Sequence, residues 1–280
     1  MRIVTDSAAD LSAQELKQLD VSCVSTQVIF QDGQSFPAME LPADELWQRL
    51  QAGEVVKTSQ PTPADFADCF ASARRTEEEA VCICVSSGVS GTVQSARLGA
   101  EITGGTGLHV VDSLTGTAGQ QLLIRFACQL RDSGRYTAAQ LTRQVESLRS
   151  RVRLLAGVDD MTCLARSGRI PRVLAELGSL TRLKPLLKVS PDGKIVLAGK
   201  AFGRHRAIDA LARQIAAARP DPAFPVIPLF SCTRDNCQAL IGKLAALGVT
   251  ADEALCCAIG PSIAPHIGPG AFGAAFVAAE

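Results

Sequence analysis

The chain has 280 residues, of which 47% are hydrophobic and 20% are charged, so it can bury a large core and is not a disordered polypeptide. Its 28 Lys and Arg residues equal its 28 Asp and Glu residues in number, which argues against a nucleic acid as the main partner. A strand begins at Arg2 and no apolar run approaches the roughly 18 residues that span a bilayer, so we expect a cytoplasmic protein without stable membrane insertion.

The first part of the chain alternates strands with helices. Residues 2–7 predict a strand that ends in Asp6-Ser7, a helix follows to about Leu19, and residues 21–30 predict a second strand. This alternation is typical of a parallel sheet that is covered by helices.

A polar stretch with two prolines follows at residues 57–65. Its prolines exclude a continuous helix or a central strand there. Thr62 and Asp65 form a capping-box pattern that predicts the start of the next helix. Just before this helix we predict an extended polar loop. It holds three uncharged side chains that can hydrogen-bond, which is unusual for a plain linker: Thr58, Ser59 and Gln60.

Residues 80–96 combine a buried strand, a small hydroxyl-rich loop and the start of a helix. The unbroken apolar run at 80–85 is typical of a strand buried on both faces. A helix start offers free N–H groups to an anion, and glycines let a ligand approach the backbone. We interpret the loop as the head-group site of a small anion, although an ordinary strand–turn–helix remains the alternative; the loop residues concerned are Ser87, Gly88, Ser90 and Gly91.

Three predicted strands end in Asp-Ser or Ser-Ser, at positions 6–7, 86–87 and 112–113. In open parallel sheets, ligands bind beyond the carboxyl ends of the strands. A turn cap is the simpler explanation for any single ending, but the three together favour a polar site. We expect Asp6, Ser7 and Ser113 to support that site.

Beyond about residue 150 the pattern changes. Pro191-Asp-Gly193 separates two short apolar runs, which predicts a β-hairpin. Residues 143–206 carry 14 Lys and Arg against 5 Asp and Glu, which indicates either solvated surface or a docking face for an acidic or phosphate-bearing partner. We predict an α/β protein with a Rossmann-like domain at 1–150, a smaller α/β domain with a mixed sheet at 151–280, and the ligand between them.

The cysteines and histidines argue against metal chemistry. Ten cysteines are scattered, no C-x-x-C pair exists, and three histidines are present, so we expect reduced core thiols, no metal and no cofactor. His266 lies in a Gly/Pro-rich loop of restricted backbone, where a ligand contact becomes more plausible than for an average histidine.

Together, these segments resemble the DegV family, bacterial fatty-acid-binding proteins that serve a fatty acid kinase. The match covers nearly the whole chain, and the order and spacing of its motifs are specific. The motifs are Val4-Thr-Asp-Ser7, Thr58-Ser-Gln-Pro61, Ser86-Ser-Gly-Val-Ser-Gly91, Val111-Asp-Ser113, Ser167-Gly-Arg-Ile170, Leu183-Lys-Pro185 with Asp192-Gly193, and Gly260-Pro261 with His266-Ile-Gly-Pro-Gly270.

The resemblance implies a long-chain fatty acid in a buried tunnel between the two domains. Its carboxylate would be held by Thr58, Ser87 and His266, the positions that match the family's threonine, serine and histidine. The resemblance also implies a binding protein without catalytic machinery, which presents the carboxylate to a separate kinase subunit for acyl-phosphate formation. The proposed anion site has no Lys or Arg in its motif, which suits a single carboxylate.

Four positions depart from the family pattern. Ser167, Ala264 and Gln121 each replace a usual glycine, and Phe202 stands where relatives often carry an arginine associated with kinase docking. Nearby basic residues still predict a docking face for the kinase subunit: Arg169, Arg204 and Arg206.

Other functional classes fit the sequence less well. A serine-dependent acyl hydrolase is the main alternative, but residues 88–92 lack the final glycine of G-x-S-x-G and no third triad member is evident beside His266. A kinase or nucleotide-binding protein is disfavoured because neither a P-loop nor a G-x-G-x-x-G motif occurs.

Overall fold

The computed structural model describes residues 1–159, 161–170 and 183–280. The helices are α1 (Ala13–Gln18), α2 (Ala43–Gln51), α3 (Pro63–Arg75), α4 (Thr92–Ile102), α5 (Thr117–Asp132), α6 (Ala138–Arg149), α7 (Thr162–Arg166), α8 (Arg204–Ala217), α9 (Asp235–Ala246) and α10 (Ala264–Ile267). The strands are β1 (Arg2–Asp6), β2 (Val21–Val24), β3 (Gln27–Ile29), β4 (Ser35–Pro37), β5 (Lys57–Ser59), β6 (Ala80–Cys84), β7 (Leu108–Asp112), β8 (Val152–Gly157), β9 (Leu183–Val189), β10 (Ile195–Phe202), β11 (Ile227–Phe230), β12 (Cys257–Ala258) and β13 (Phe272–Val277). Two 3₁₀ turns lie at Ser7–Ala9 and Glu253–Leu255.

The first sheet is four-stranded and entirely parallel, in the order β2-β1-β6-β7. Strand β6 is buried along its whole length because helices cover both faces of the sheet. Phe66 and Phe70 of α3 pack with α4 on one face, and Leu122 and Leu123 of α5 pack on the other. This arrangement confirms the predicted α/β, Rossmann-like fold of the first part of the chain.

The second sheet is mixed and six-stranded, in the order β10-β9-β8-β13-β11-β12. All neighbours are antiparallel except β11 and β12, and the predicted hairpin appears as β9 and β10. Helices α8 and α9 cover one face, whereas α5 packs against the other. The predicted mixed sheet is confirmed.

Helix α5 is therefore shared by both sheets. Its buried residues form one continuous apolar cluster with Ile3 and Ile83 of the first sheet and with Ile227 and Ala275 of the second. In the two larger sheets, pairing changes from parallel to mostly antiparallel between β7 and β8, near the predicted boundary at residue 150. The division into domains at 1–150 and 151–280 stays a prediction.

The prediction of one strand over residues 21–30 is wrong. The chain leaves the parallel sheet at Thr26, whose N–H donates to Ser7 Oγ (2.9 Å) and whose carbonyl accepts from the Ala38 N–H (2.9 Å). Beyond this point β3 joins a small antiparallel sheet, β4-β3-β5. The predicted loop at residues 58–60 is also revised, because Thr58 and Ser59 belong to β5.

The capping-box prediction is confirmed. The Thr62 N–H donates to Asp65 Oδ2 (2.7 Å), and the Asp65 N–H donates to Thr62 Oγ1 (3.2 Å). All ten cysteines lie in the described part of the chain, and none of them forms a disulfide. Among the described helices, none is long and apolar enough to cross a bilayer.

Candidate functional site

A cavity of about 520 Å³ lies where the carboxyl ends of the parallel strands face the segment around α10. Its polar lining is dominated by hydroxyl groups, and its apolar lining comes from several separate elements. The lining residues are Ala8, Thr26, Thr58, Ser59, Gln60, Val85, Val89, Ser90, Gly91, Thr92, Leu164, Arg169, Ile195, Ser262, Ile263, His266 and Ile267.

Thr58 and His266, which are 208 positions apart, meet in this cavity. Thr58 Oγ1 and His266 Nε2 lie 2.7 Å apart and share one hydrogen bond, whose direction depends on the histidine tautomer. Strand β5 fixes Thr58 through its pairing with β3. His266 belongs to the short helix α10, which corrects the predicted loop; this helix ends at Gly268, where φ is +75°.

His266 is neutral at physiological pH. Burial, with a further contribution from the positive charge of Arg169, lowers the pKa of His266 to about 4. Its Nδ1 is buried and has no hydrogen-bond partner among the described residues. The pair therefore offers polar hydrogen-bonding groups without a formal charge, and the positive charge of Arg169 acts on His266.

The Ser86–Gly91 loop divides into two parts with different surroundings. Ser90 and Gly91 line the cavity, and Ser90 Oγ lies 2.8 Å from Thr92 Oγ1. Ser87 is exposed, does not line the cavity, and its N–H donates to Asp112 Oδ1 (3.1 Å). This placement favours Ser90 over Ser87 as the serine that contacts a ligand.

The first part of this loop anchors the β9–β10 hairpin. Ser86 Oγ donates to the carbonyl of Gly193 (2.7 Å) and accepts from the Gly88 N–H (3.0 Å). A Cβ atom on Gly88 would lie 2.6 Å from the Gly193 carbonyl oxygen, and one on Gly193 would overlap Ser86 Oγ. Gly88 thus serves the contact between the loop and the hairpin, not the cavity.

The predicted strand-end residues act chiefly as caps. Asp6 Oδ1 accepts from the Ala8 N–H (2.9 Å) and Oδ2 accepts from the Val85 N–H (2.7 Å), so this carboxylate joins β1 to the end of β6. Burial raises the pKa of Asp6 to about 6. Ser113 Oγ donates to the Thr115 carbonyl (3.0 Å). Neither Asp6 nor Ser113 lines the cavity; Asp6 holds Ala8 and Val85, which do, whereas Ser113 holds Thr115, which does not.

Three buried hydroxyls form a cluster that the sequence does not predict as a unit. Ser7 Oγ lies 2.7 Å from Ser262 Oγ and 3.2 Å from Thr26 Oγ1, and Thr26 Oγ1 lies 2.8 Å from Ser262 Oγ. Thr26 and Ser262 line the cavity. Two signals existed: Ser25-Thr26 interrupts an apolar run, and Ser262 follows Gly260-Pro261.

An apolar arm adjoins the cavity. A separate space of about 90 Å³ shares Val85, Val89, Ile195, Ile263 and Ile267 with it. The remaining walls of this space come from β8, β9, residues 115–117, Ser86 and Gly193, and their aliphatic members are Leu154, Ala156, Leu187 and Val189. A hydrocarbon chain whose head lies near Thr58 can therefore extend toward α5.

A cationic cavity of about 250 Å³ adjoins the Thr58–His266 pair on another side. Thr58, Arg169 and His266 line both cavities, and Lys57 and Arg166 add two more positive side chains. Among the described residues, no ion pair is formed by Lys57, Arg166 or Arg169, and no acidic side chain lines this cavity. It is suited to an anion larger than a single carboxylate.

The other predicted docking residues lie on the surface. Arg204 and Arg206 are exposed, and Arg204 pairs with Asp159 (3.4 Å). Phe202 is 62% exposed beside them. Residues 171–182, a part of the basic segment at 143–206, lie outside the described residues.

Comparisons with known proteins agree on one family. The sequence profile described as "Uncharacterised protein, DegV family" matches residues 1–279. A DegV domain-containing protein of Deinococcus radiodurans is 35% identical over 214 residues, which cover 76% of this chain and 75% of that protein.

Two solved structures extend the likeness to the whole fold. One is described as "Fatty Acid Binding of a DegV family Protein from Thermus thermophilus"; its TM-score is 0.87, with 30% identity and 100% of both chains covered. The other, a stearic-acid-binding protein from Eubacterium ventriosum, has a TM-score of 0.88 and 25% identity, and the match covers 99% of this chain and 98% of that one. From the sequence profile and these likenesses it follows that the chain belongs to the DegV family.

Proposed function

We propose that this protein binds a long-chain fatty acid and presents its carboxylate to a separate fatty acid kinase subunit, without catalytic machinery of its own. The observation that carries the proposal is that three chemically different regions lie next to one another in space. A neutral hydrogen-bonding cluster around Thr58 and His266 stands between an apolar arm and a cationic cavity. The similar proteins from Thermus thermophilus and Eubacterium ventriosum are described as binding fatty acids, which supports the ligand class.

The head-group chemistry follows from the donors available. The Thr58 and Ser90 hydroxyls can donate to a carboxylate, and the His266 ring can donate through either nitrogen, depending on its tautomer. A hydrogen bond to a charged group contributes about 1.5–3 kcal/mol. Arg169, which lines the same cavity, adds a long-range attraction for the anion.

The cationic cavity supports presentation to a kinase. Transfer of a phosphoryl group brings several anionic oxygens close to the carboxylate, and fixed positive charges stabilise them. Lys57, Arg166 and Arg169 provide such charges beside the pair.

The acyl hydrolase is not favoured by any contact in the site. His266 Nε2 bonds to Thr58, and its Nδ1 has no carboxylate partner among the described residues, so the orienting member of a triad is missing from that position.

A first prediction concerns the ligand itself. Protein purified under native conditions is expected to retain a monocarboxylic lipid, because each buried methylene contributes roughly 0.8 kcal/mol. Native mass spectrometry and lipid analysis after denaturing extraction measure this. Protein that carries no acyl chain and takes up no added fatty acid would contradict the proposed function.

A second prediction concerns the docking face. Arg204→Glu and Arg206→Glu are expected to slow association with the kinase subunit and to reduce the salt dependence of that association, because charge complementarity acts mainly on the association rate. Stopped-flow binding at several salt concentrations measures this. Arg97→Glu makes the same charge change on the exposed face of α4 and serves as the control. Equal rates for all three variants would place the docking face elsewhere.

A further inference from the structure

Two cysteines from separate elements lie side by side in the second half of the chain. Cys237 belongs to the first turn of α9, and Cys256 lies between the 3₁₀ turn at Glu253–Leu255 and strand β12. Their sulfur atoms are 3.9 Å apart, although 19 positions separate them in the sequence. A disulfide needs an approach of about 2 Å more, and β12 has only two residues at the edge of its sheet, so a small local shift suffices.

The two thiols differ in their access to solvent. Cys237 is 0% exposed and belongs to the apolar cluster around α8 and α9. Cys256 is partly exposed, and it lines a second cavity, of about 350 Å³. A small oxidant therefore meets Cys256 first. Cys237 then needs no contact with solvent, because its reaction is with the neighbouring sulfur.

The surroundings also favour a thiolate at Cys256. The hydrogen bond with Cys237, with a contribution from the positive charge of Arg234, lowers the pKa of Cys256 to about 7, against the opposing effects of burial and of Glu253. The same hydrogen bond, together with burial, raises the pKa of Cys237. Since the thiolate is the reactive form, Cys256 is the attacking sulfur and Cys237 is the thiol that resolves the intermediate.

We propose that Cys256 and Cys237 form a redox site, which a small peroxide oxidises to a reversible intramolecular disulfide. The Cys256 thiolate attacks one peroxide oxygen, the O–O bond breaks, and the leaving oxygen takes up a proton, so Cys256 becomes a sulfenic acid. The Cys237 sulfur then attacks the Cys256 sulfur, the S–O bond breaks, and the Cys237 proton leaves with the oxygen as water. Two thiols are oxidised by two electrons, and hydrogen peroxide is reduced to two water molecules.

A second pair of sulfurs shows that proximity alone does not make such a site. Cys82 and Cys84 lie 3.5 Å apart, which is closer, but both are 0% exposed on β6. The hydrogen bond from Cys82, together with burial, raises the pKa of Cys84. We therefore expect this pair to stay reduced in the folded protein.

Treatment of the folded, full-length protein with a small excess of hydrogen peroxide tests the proposal. We expect the number of free thiols, titrated after denaturation, to fall from ten by two, and dithiothreitol to restore them. Peptide mapping without reduction is expected to join residues 235–243 to residues 244–280, the tryptic peptides that carry Cys237 and Cys256.

Three variants assign the roles of the two sulfurs. Cys256→Ser is expected to abolish the disulfide. Cys237→Ala is expected to stop the reaction at the sulfenic acid, which dimedone traps on Cys256. Cys232→Ser removes another partly exposed thiol and is expected to leave the disulfide unchanged.

Three results would overturn the proposal: ten free thiols after peroxide treatment, a disulfide between other cysteines, or a disulfide that persists in folded Cys256→Ser protein through Cys257. If a variant does not fold, the thiol count and the peptide map of the unmodified protein still decide. The site is independent of fatty acid binding, and fatty acid content is measured on untreated samples, so failure here is separate from failure of the proposed function.

Discussion

Replacement of His266 by alanine is expected to reduce acyl-phosphate formation by on the order of ten- to a hundredfold and to reduce fatty acid retention much less. The first effect follows because one hydrogen bond to a charged acceptor contributes about 1.5–3 kcal/mol and also fixes the carboxylate for attack. The second follows because burial of the acyl chain, at roughly 0.8 kcal/mol per methylene, dominates retention. A kinase-coupled assay and quantitative lipid extraction measure the two quantities on the same preparation.

Replacement of Thr58, the other member of the pair, tests the same hydrogen bond. Thr58→Val keeps the shape of the side chain and removes its hydroxyl, so His266 Nε2 loses the partner that lies 2.7 Å away. We expect a loss of acyl-phosphate formation similar to that of the His266 variant. The double variant is expected to lose less than the sum of the two, because both changes break one contact.

The serine loop provides a matched comparison. Ser90 lines the cavity and Ser87 is exposed, so Ser90→Ala is expected to impair acyl-phosphate formation and Ser87→Ala to leave it near normal. His109→Ala, on β7 and outside the cavities of the site, controls for the loss of a histidine. Full activity of the His266, Thr58 and Ser90 variants together would remove this head-group site from consideration.

The second large effect is expected on stability. Gly193→Ala is expected to lower the free energy of unfolding by about 3 kcal/mol or more, and the thermal midpoint by roughly 5–10 °C. Gly193 has φ of +76°, which is strained for other L-residues by roughly 1–2 kcal/mol, and the new Cβ would overlap Ser86 Oγ. Chemical and thermal denaturation followed by circular dichroism measure the change.

Alanine variants of two further glycines distinguish the cost of backbone strain from the cost of atomic overlap. Gly134 has a similar φ of +66° but open space around its Cα. Gly134→Ala is therefore expected to lower the free energy of unfolding only by the cost of backbone strain, roughly 1–2 kcal/mol. Gly88→Ala has no such strain, but its Cβ would lie 2.6 Å from the Gly193 carbonyl oxygen. Equal stability of the Gly193 and Gly134 variants would mean that the hairpin does not depend on this close contact.

Much of the fold could be predicted because its signals are local. The parallel sheet follows from unbroken apolar runs such as residues 80–84, and the β9–β10 hairpin follows from Pro191-Asp-Gly193. Strand β13 gives no comparable signal, because Phe272–Val277 is rich in Gly and Ala. Its place is set by packing: a Cβ on Gly273 would lie 2.9 Å from the Ala156 Cα.

The site could be predicted in part, for the same reason. Thr58 and His266 each belong to a recognisable motif, and the structure brings them together, although their contact with a carboxylate stays a prediction. The distinction between Ser87 and Ser90 depends on how the loop turns against the hairpin, which no local pattern encodes.

Helix α5 packs against both sheets through one apolar cluster. If the two sheets moved apart as rigid bodies, both sides of this helix would be exposed to water. That exposure costs about 25 cal/mol of free energy for each Å² of apolar surface. A guest molecule that reaches the interior therefore has to pass between peripheral loops while the central helix stays in place. Local opening of these surface loops then sets the rate at which a bound molecule exchanges. Variants in the buried face of α5 would lower the thermal midpoint far more than they would change that exchange rate.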